Sequence, residues 1–150
     1  VGLMKRRGFS ATDFRQFHPG GKLGGQLLAV RMVMKSGDDL PLLKDTANMA
    51  QAIEVMSQKN YGCAIVIDDK GELSGFVTDG DIRRHASSGI LNIPVRDIMA
   101  KSPQTIAEDA LTAAALAAMN QYSITQLIVL EGKKPVGLVR LSDIMRAGAA

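Results

Sequence analysis

Tryptophan is absent from this 150-residue chain, and aromatic residues make up only 4% of it. Any core must therefore be aliphatic, filled by Val, Ile, Leu, Ala and the eight Met; apolar residues at 46% suffice to build one. Cysteine occurs once, as Cys63 in the apolar run "CAIVI". A single thiol closes no internal disulfide, and there it reads as a small buried hydrophobe in a reducing cytoplasm. No apolar run approaches the roughly 18 residues that a membrane span requires. The opening "VGLMKRRGFS" has neither an initiator Met nor a signal-peptide pattern, and reads as a cut from a longer chain. Charge of one sign is also scarce, at net +3. Lys5, Arg6, Arg7 and Arg15 stand ahead of most of the apolar pattern. No basic stripe interleaves with aromatics, so neither nucleic acid nor a membrane is an expected partner, and no metal is expected.

What the chain does have is a repeat. "TANMAQAIEVMSQKNYGCAIVI" (46–67) lies over "DALTAAALAAMNQYSITQLIVL" (109–130), so that Met56 meets Met119 and "AIVI" meets "LIVL". With one loop residue dropped, "GFVTDGDIRR" (75–84) falls on "GLVRLSDIMR" (137–146), and upstream "VRMVM" (30–34) echoes "VRDIM" (95–99). The unit is about 60 residues, longer than solenoid repeats. In each copy Thr46 or Asp109 is an expected helix cap. Met49, Ile53 and Met56, or Leu111, Ala115 and Met119, then recur at helical spacing. Strands are expected at Ala64–Ile67 and Gly75–Val77, and at Leu127–Leu130 and Pro135–Val139. A short helix follows near Asp79 and near Ser142. The order is strand–helix–strand–strand–helix, twice: an α/β (α+β) chain of two β-α-β-β-α repeats.

The junction after the second of those strands carries the chemistry. Thr78 and the early helix N–H groups can face an anion. Asp81, three residues on, can accept two hydrogen bonds from a ribose diol, and Arg83 and Arg84 add charge for phosphate. The bland alternative uses the same geometry: Thr78 caps the helix and Asp81 supports its start. In the second copy Arg140 replaces Thr78, with Ser142 and Asp143 following. Arg140 either donates to a phosphate or sugar carboxylate or plugs a dead site. His85 reads as a solvated side chain.

One stretch stands outside the repeat: "FHPGGKLGG" (17–25). It fails as a phosphate loop, because Leu23 follows Gly21-Lys22 where Ser or Thr is needed. On local physics it is a chain reversal, since Pro19 disfavours helix at His18 and the glycines allow positive φ.

The repeat, the element order and the G-h-h-T-x-x-D motif in "GFVTDGD" together resemble the CBS domain, and the tandem resembles a Bateman module. That resemblance implies two repeats packed sheet to sheet, with nucleotides bound in the clefts between copies. The whole chain, from "RGFSATDFRQFHPGGKLGGQLL" through "FVTDGDIRR" to "DIMRAG", further resembles the D-arabinose 5-phosphate isomerase family, built as a sugar isomerase (SIS) domain followed by two CBS units. By that likeness 1–29 is the end of an SIS domain, 30–91 the first CBS repeat and 92–150 the second. His18 then maps to the isomerase site. Interconverting ribulose and arabinose 5-phosphates moves a proton between C1 and C2 through an enediol, which suits a histidine base. With the isomerase pocket missing, this fragment is expected to be non-catalytic. No cofactor is expected to be required. The implied effector is AMP, ATP or a cytidine-linked 3-deoxy-D-manno-octulosonate (CMP-Kdo), and the implied pathway is Kdo synthesis for lipopolysaccharide or capsule. The implied partners are the chain's own SIS domain and further copies, as a homodimer of modules within a cytoplasmic homotetramer. The alternative is an oligomerisation module without a ligand.

Overall fold

The computed structural model describes residues 28–87 and 89–148. Its first repeat runs β1 (Leu42–Lys44), α1 (Met49–Lys59), β2 (Cys63–Ile67), β3 (Leu73–Thr78) and α2 (Asp79–Arg84). The second runs β4 (Thr105–Ala107), α3 (Thr112–Tyr122), β5 (Gln126–Glu131), β6 (Lys134–Arg140) and α4 (Leu141–Arg146). The expected order is present in both copies. Each forms a three-stranded sheet, β1-β2-β3 and β4-β5-β6. Leu42 pairs with Ile65 in the parallel β1–β2 ladder, as Thr105 does with Ile128 in the parallel β4–β5 ladder, while β2 and β3 are antiparallel. The central strand is buried along Cys63–Val66, which explains why its sequence is continuously apolar rather than alternating.

The helix caps differ from expectation. Thr46 and Asp109 sit in turns that bring the chain round from β1 and β4. The N-cap of α1 is Asn48, whose side chain accepts from Gln51 N while the Gln51 side chain accepts from Asn48 N, each at 3.0 Å. At the equivalent place α3 has Leu111, which supplies no side-chain cap. Both helices end on a left-handed residue, Asn60 (φ 62°) and Ser123 (φ 56°).

The two compact units do not follow the repeat order. One gathers 36–104 with 132–135; the other gathers 28–35, 105–131 and 136–148. The segment that opens each repeat therefore packs against the body of the other. Val30 N donates to Ala110 O at 2.7 Å, and Lys35 and Leu138 exchange a pair of backbone bonds at 2.9 Å. Correspondingly, Val95 N donates to Ala47 O at 2.9 Å, and Ala100 and Phe76 exchange a pair at 2.8 and 2.9 Å. Val30 is buried with Ala115, Leu116, Met119 and Val139; Val95 and Ile98 are buried with Met49, Ala52, Met56 and Val77. The glycines of "GFVT" and "GLVR" make room for this exchange. A Cβ on Gly75 would lie 2.7 Å from Met99 Cγ, and one on Gly137 would lie 2.9 Å from Met34 Cγ.

Candidate ligand-binding site

The junction in each copy forms because an extended residue ends the last strand and the helix starts at once. Thr78 (φ −123°, ψ 168°) caps α2. Its hydroxyl accepts from Asp81 N at 3.4 Å and donates to Asp81 Oδ2 at 3.2 Å, and its own N–H donates to Oδ2 at 2.9 Å. Arg84 donates to the other oxygen, Asp81 Oδ1, at 2.5 Å. The side chain of Arg84 is nevertheless 66% exposed, against 13% for Asp81. Arg83 is exposed on α2. His85 closes the helix, with Nδ1 2.9 Å from the Asp81 carbonyl oxygen, so its ring has a local partner as well as solvent. Gly62 also shapes this junction. It holds φ +69° and accepts from Asp79 N at 3.0 Å, and a Cβ there would lie 2.7 Å from Asp79 Oδ2. Sequence reasoning missed it, although "YGC" just before an apolar strand was the available signal.

The second junction brings Arg140, Ser142 and Asp143 together differently. Ser142 is exposed, whereas the Asp143 side chain is 2% exposed. Arg140 donates to Asp143 Oδ2 from its backbone N (3.1 Å) and from Nε (3.0 Å), and to Oδ1 from a terminal nitrogen (2.9 Å). Arg146 donates to Oδ1 at 2.6 Å. Burial pushes the Asp143 carboxyl upward, but the hydrogen bonds from Arg140 and the charges of Arg140 and Lys35 outweigh it and hold the pKa below its ordinary value. Both copies thus build the bland helix-start geometry, and the guanidinium of Arg140 is turned onto its neighbour. Nearby, Leu116, Met119, Asn120, Ser123, Ile124, Thr125 and Leu141 line an open, mainly apolar groove of about 400 Å³. Among the described residues no group of three or more His, Cys, Asp or Glu is placed to hold a metal ion, and no helix is long and apolar enough to cross a membrane. His18 and most of 1–29 lie outside the described residues.

Two copies of one strand–helix module, each ending in an acidic junction at a helix start, define a tandem α/β fold. The chain belongs to the CBS domain family, whose model matches residues 30–88 and 95–150. It is 36% identical over 99% of its length to the arabinose 5-phosphate isomerase KdsD of Escherichia coli, covering 46% of that protein. It therefore spans about half the length of the curated relatives it matches. Among solved structures, an uncharacterized conserved protein from Pyrococcus horikoshii superposes with a TM-score of 0.72 at 28% identity, over 83% of this chain and 95% of the other. CBSX2, solved in complex with AMP, superposes with a TM-score of 0.70 at 23% identity, over 79% and 94%. The tandem CBS pair and the likeness to the isomerases, both expected from sequence, are borne out.

Proposed function

We propose that this chain is the regulatory CBS pair of a cytoplasmic D-arabinose 5-phosphate isomerase, and that it senses a nucleotide or nucleotide-sugar at the Thr78–Asp81 junction. The observation that carries the reading is the match across 99% of the chain to an isomerase more than twice as long. In this reading 1–29 ends the SIS domain that holds His18, and 30–91 and 92–150 are the two CBS repeats of a homo-oligomer. The local chemistry supports a ligand at Asp81, since three donors fill three of about four acceptor positions on an ionised carboxylate. Arg84, largely in solvent, is free to exchange Asp81 for a ligand phosphate. Binding shifts the isomerase domain only as far as the ligand's affinities for its two states differ. AMP, ATP and CMP-Kdo are the ligands to compare: AMP because CBSX2 is solved with it, CMP-Kdo because it is the activated product of the proposed pathway.

Calorimetric titration of the chain with each of the three, in parallel on Asp81→Ala, tests the reading. Binding of one ligand that the substitution abolishes is expected. Silence from all three on folded protein overturns it in favour of a purely structural oligomerisation module. The apolar groove beside Leu141 and the exposed Tyr122 and Met145 favour that second reading. Its signature is a solution mass above one chain that AMP leaves unchanged.

A further inference from the structure

The two junctions, 78–84 and 140–146, share an aspartate and the arginine three residues after it but differ at four positions, of which Thr78 against Arg140 changes the partner that faces the aspartate. We infer that Arg140 shuts the second junction to ribose-bearing ligands, so that the chain takes up a single nucleotide, at Asp81. The inference rests on the proposed nucleotide-sensing role.

A ribose is gripped by a carboxylate through its two adjacent hydroxyls, both donating, so the carboxylate needs acceptor positions that the protein has not filled. An ionised carboxylate offers about four. At Asp143 four donors occupy them: Arg140 N and Nε on Oδ2, and terminal nitrogens of Arg140 and Arg146 on Oδ1. The carboxylate is also withdrawn from solvent, at 2% exposed, beneath an Arg140 side chain that is itself only 23% exposed. A diol would have to break a two-point guanidinium–carboxylate pair and leave the guanidinium without its counter-charge, an exchange that a neutral hydroxyl pair does not repay. At Asp81 the corresponding residue contributes a hydroxyl instead of a guanidinium. One acceptor position stays open, and Oδ1 is held only by the solvent-exposed Arg84. The depressed pKa of Asp143 agrees with a carboxylate whose charge is already fully matched inside the protein.

Calorimetric stoichiometry with AMP, ATP and CMP-Kdo tests this on the 150-residue chain and on two variants, with thermal melts to establish folding. The expectation is one nucleotide per wild-type chain, two per Arg140→Thr chain and none per Thr78→Arg chain. Two per wild-type chain, or one per Arg140→Thr chain when wild type also binds one, overturns the inference while nucleotide sensing stands. None for wild type but one for Arg140→Thr overturns sensing at Asp81 and upholds the Arg140 closure. None for both overturns both. If Arg140→Thr does not fold, retained binding by Thr78→Arg overturns the inference. Nitrogen-15 spectra of the ligand-free chain provide a readout independent of nucleotide. Slow solvent exchange of the Arg140 Nε–H is expected, and fast exchange overturns the closure.

Discussion

Asp143 shows how a change of neighbour, Thr78 to Arg140, alters the work of a repeated geometry. Its copy at Asp81 is held by a hydroxyl, a backbone N–H and one exposed arginine; Asp143 is held by two arginines and is buried. Asp143→Asn removes the charge but keeps the shape, leaving Arg140 facing an amide that also presents N–H groups. The expected loss is about 2 kcal/mol, below the 3–5 of a fully buried pair because Arg146 is 63% exposed. The pH dependence has a definite sign. Because the folded-state pKa lies below the ordinary value of 3.8, the stabilisation is complete above that pH and is lost as pH falls through the folded-state value. Urea midpoints measured from pH 6 downward should therefore drop more steeply for the wild type than for Asp143→Asn below about pH 4. Parallel slopes would sink the assignment. The partners in this arrangement were legible as "RLSD" but their pairing was not. The residues at positions 140 and 143 fit a ligand clamp as well as a self-pairing, and only burial of the carboxylate separates the two.

At the scale of elements, hydrophobic spacing located both long helices because Met49 and Met56, and Ala115 and Met119, face the two cores, although Ile53 of that spacing is only half-buried and Leu111 is exposed. The caps were misplaced by two residues. Thr46 and Asp109 have the right chemistry, but the chain needs those positions for the turn after the first strand, where Ala47 N donates to Lys44 O and Ala110 N to Ala107 O. Cap chemistry is common in turns too, so composition alone does not choose between them. The consequence falls on α3. Its N-cap Leu111 is 44% exposed and has cap-compatible backbone angles (φ −79°, ψ 153°), yet it carries no acceptor. Leu111→Asn transplants the first repeat's Asn48 and should raise stability by about 1 kcal/mol, read as a higher urea midpoint at unchanged slope. A lower midpoint would mean that the leucine's packing outweighs the missing cap.

At the scale of the whole molecule, the duplication was legible and the exchange of opening segments was not. Aligning "VRMVM" with "VRDIM" shows that the two are equivalent, but not which body each one packs on. That choice is made by non-local contacts: Met34 over Gly137 and Met99 over Gly75, each backed by a pair of strand-like bonds. A cut at the repeat boundary therefore removes structure from the half it was meant to isolate. The fragment 30–91 loses Val95 (0% exposed) and Ile98 (6%) from its core, together with the bonds to Ala47, Met49 and Phe76. Burial of two such side chains is worth about 1.5–3 kcal/mol each, which is most of the stability available to a domain of that size. The fragment 36–104 keeps them; it gives up the opening segment that belongs with the other body, and of its own body only 132–135, whose Lys133 O accepts from Leu73 N. Circular dichroism melts should accordingly show a cooperative transition for 36–104 and a broad or absent one for 30–91. If 30–91 melts as sharply and at the same temperature, the second repeat's opening segment contributes little to the first body, and the exchange is a matter of geometry without energetic weight.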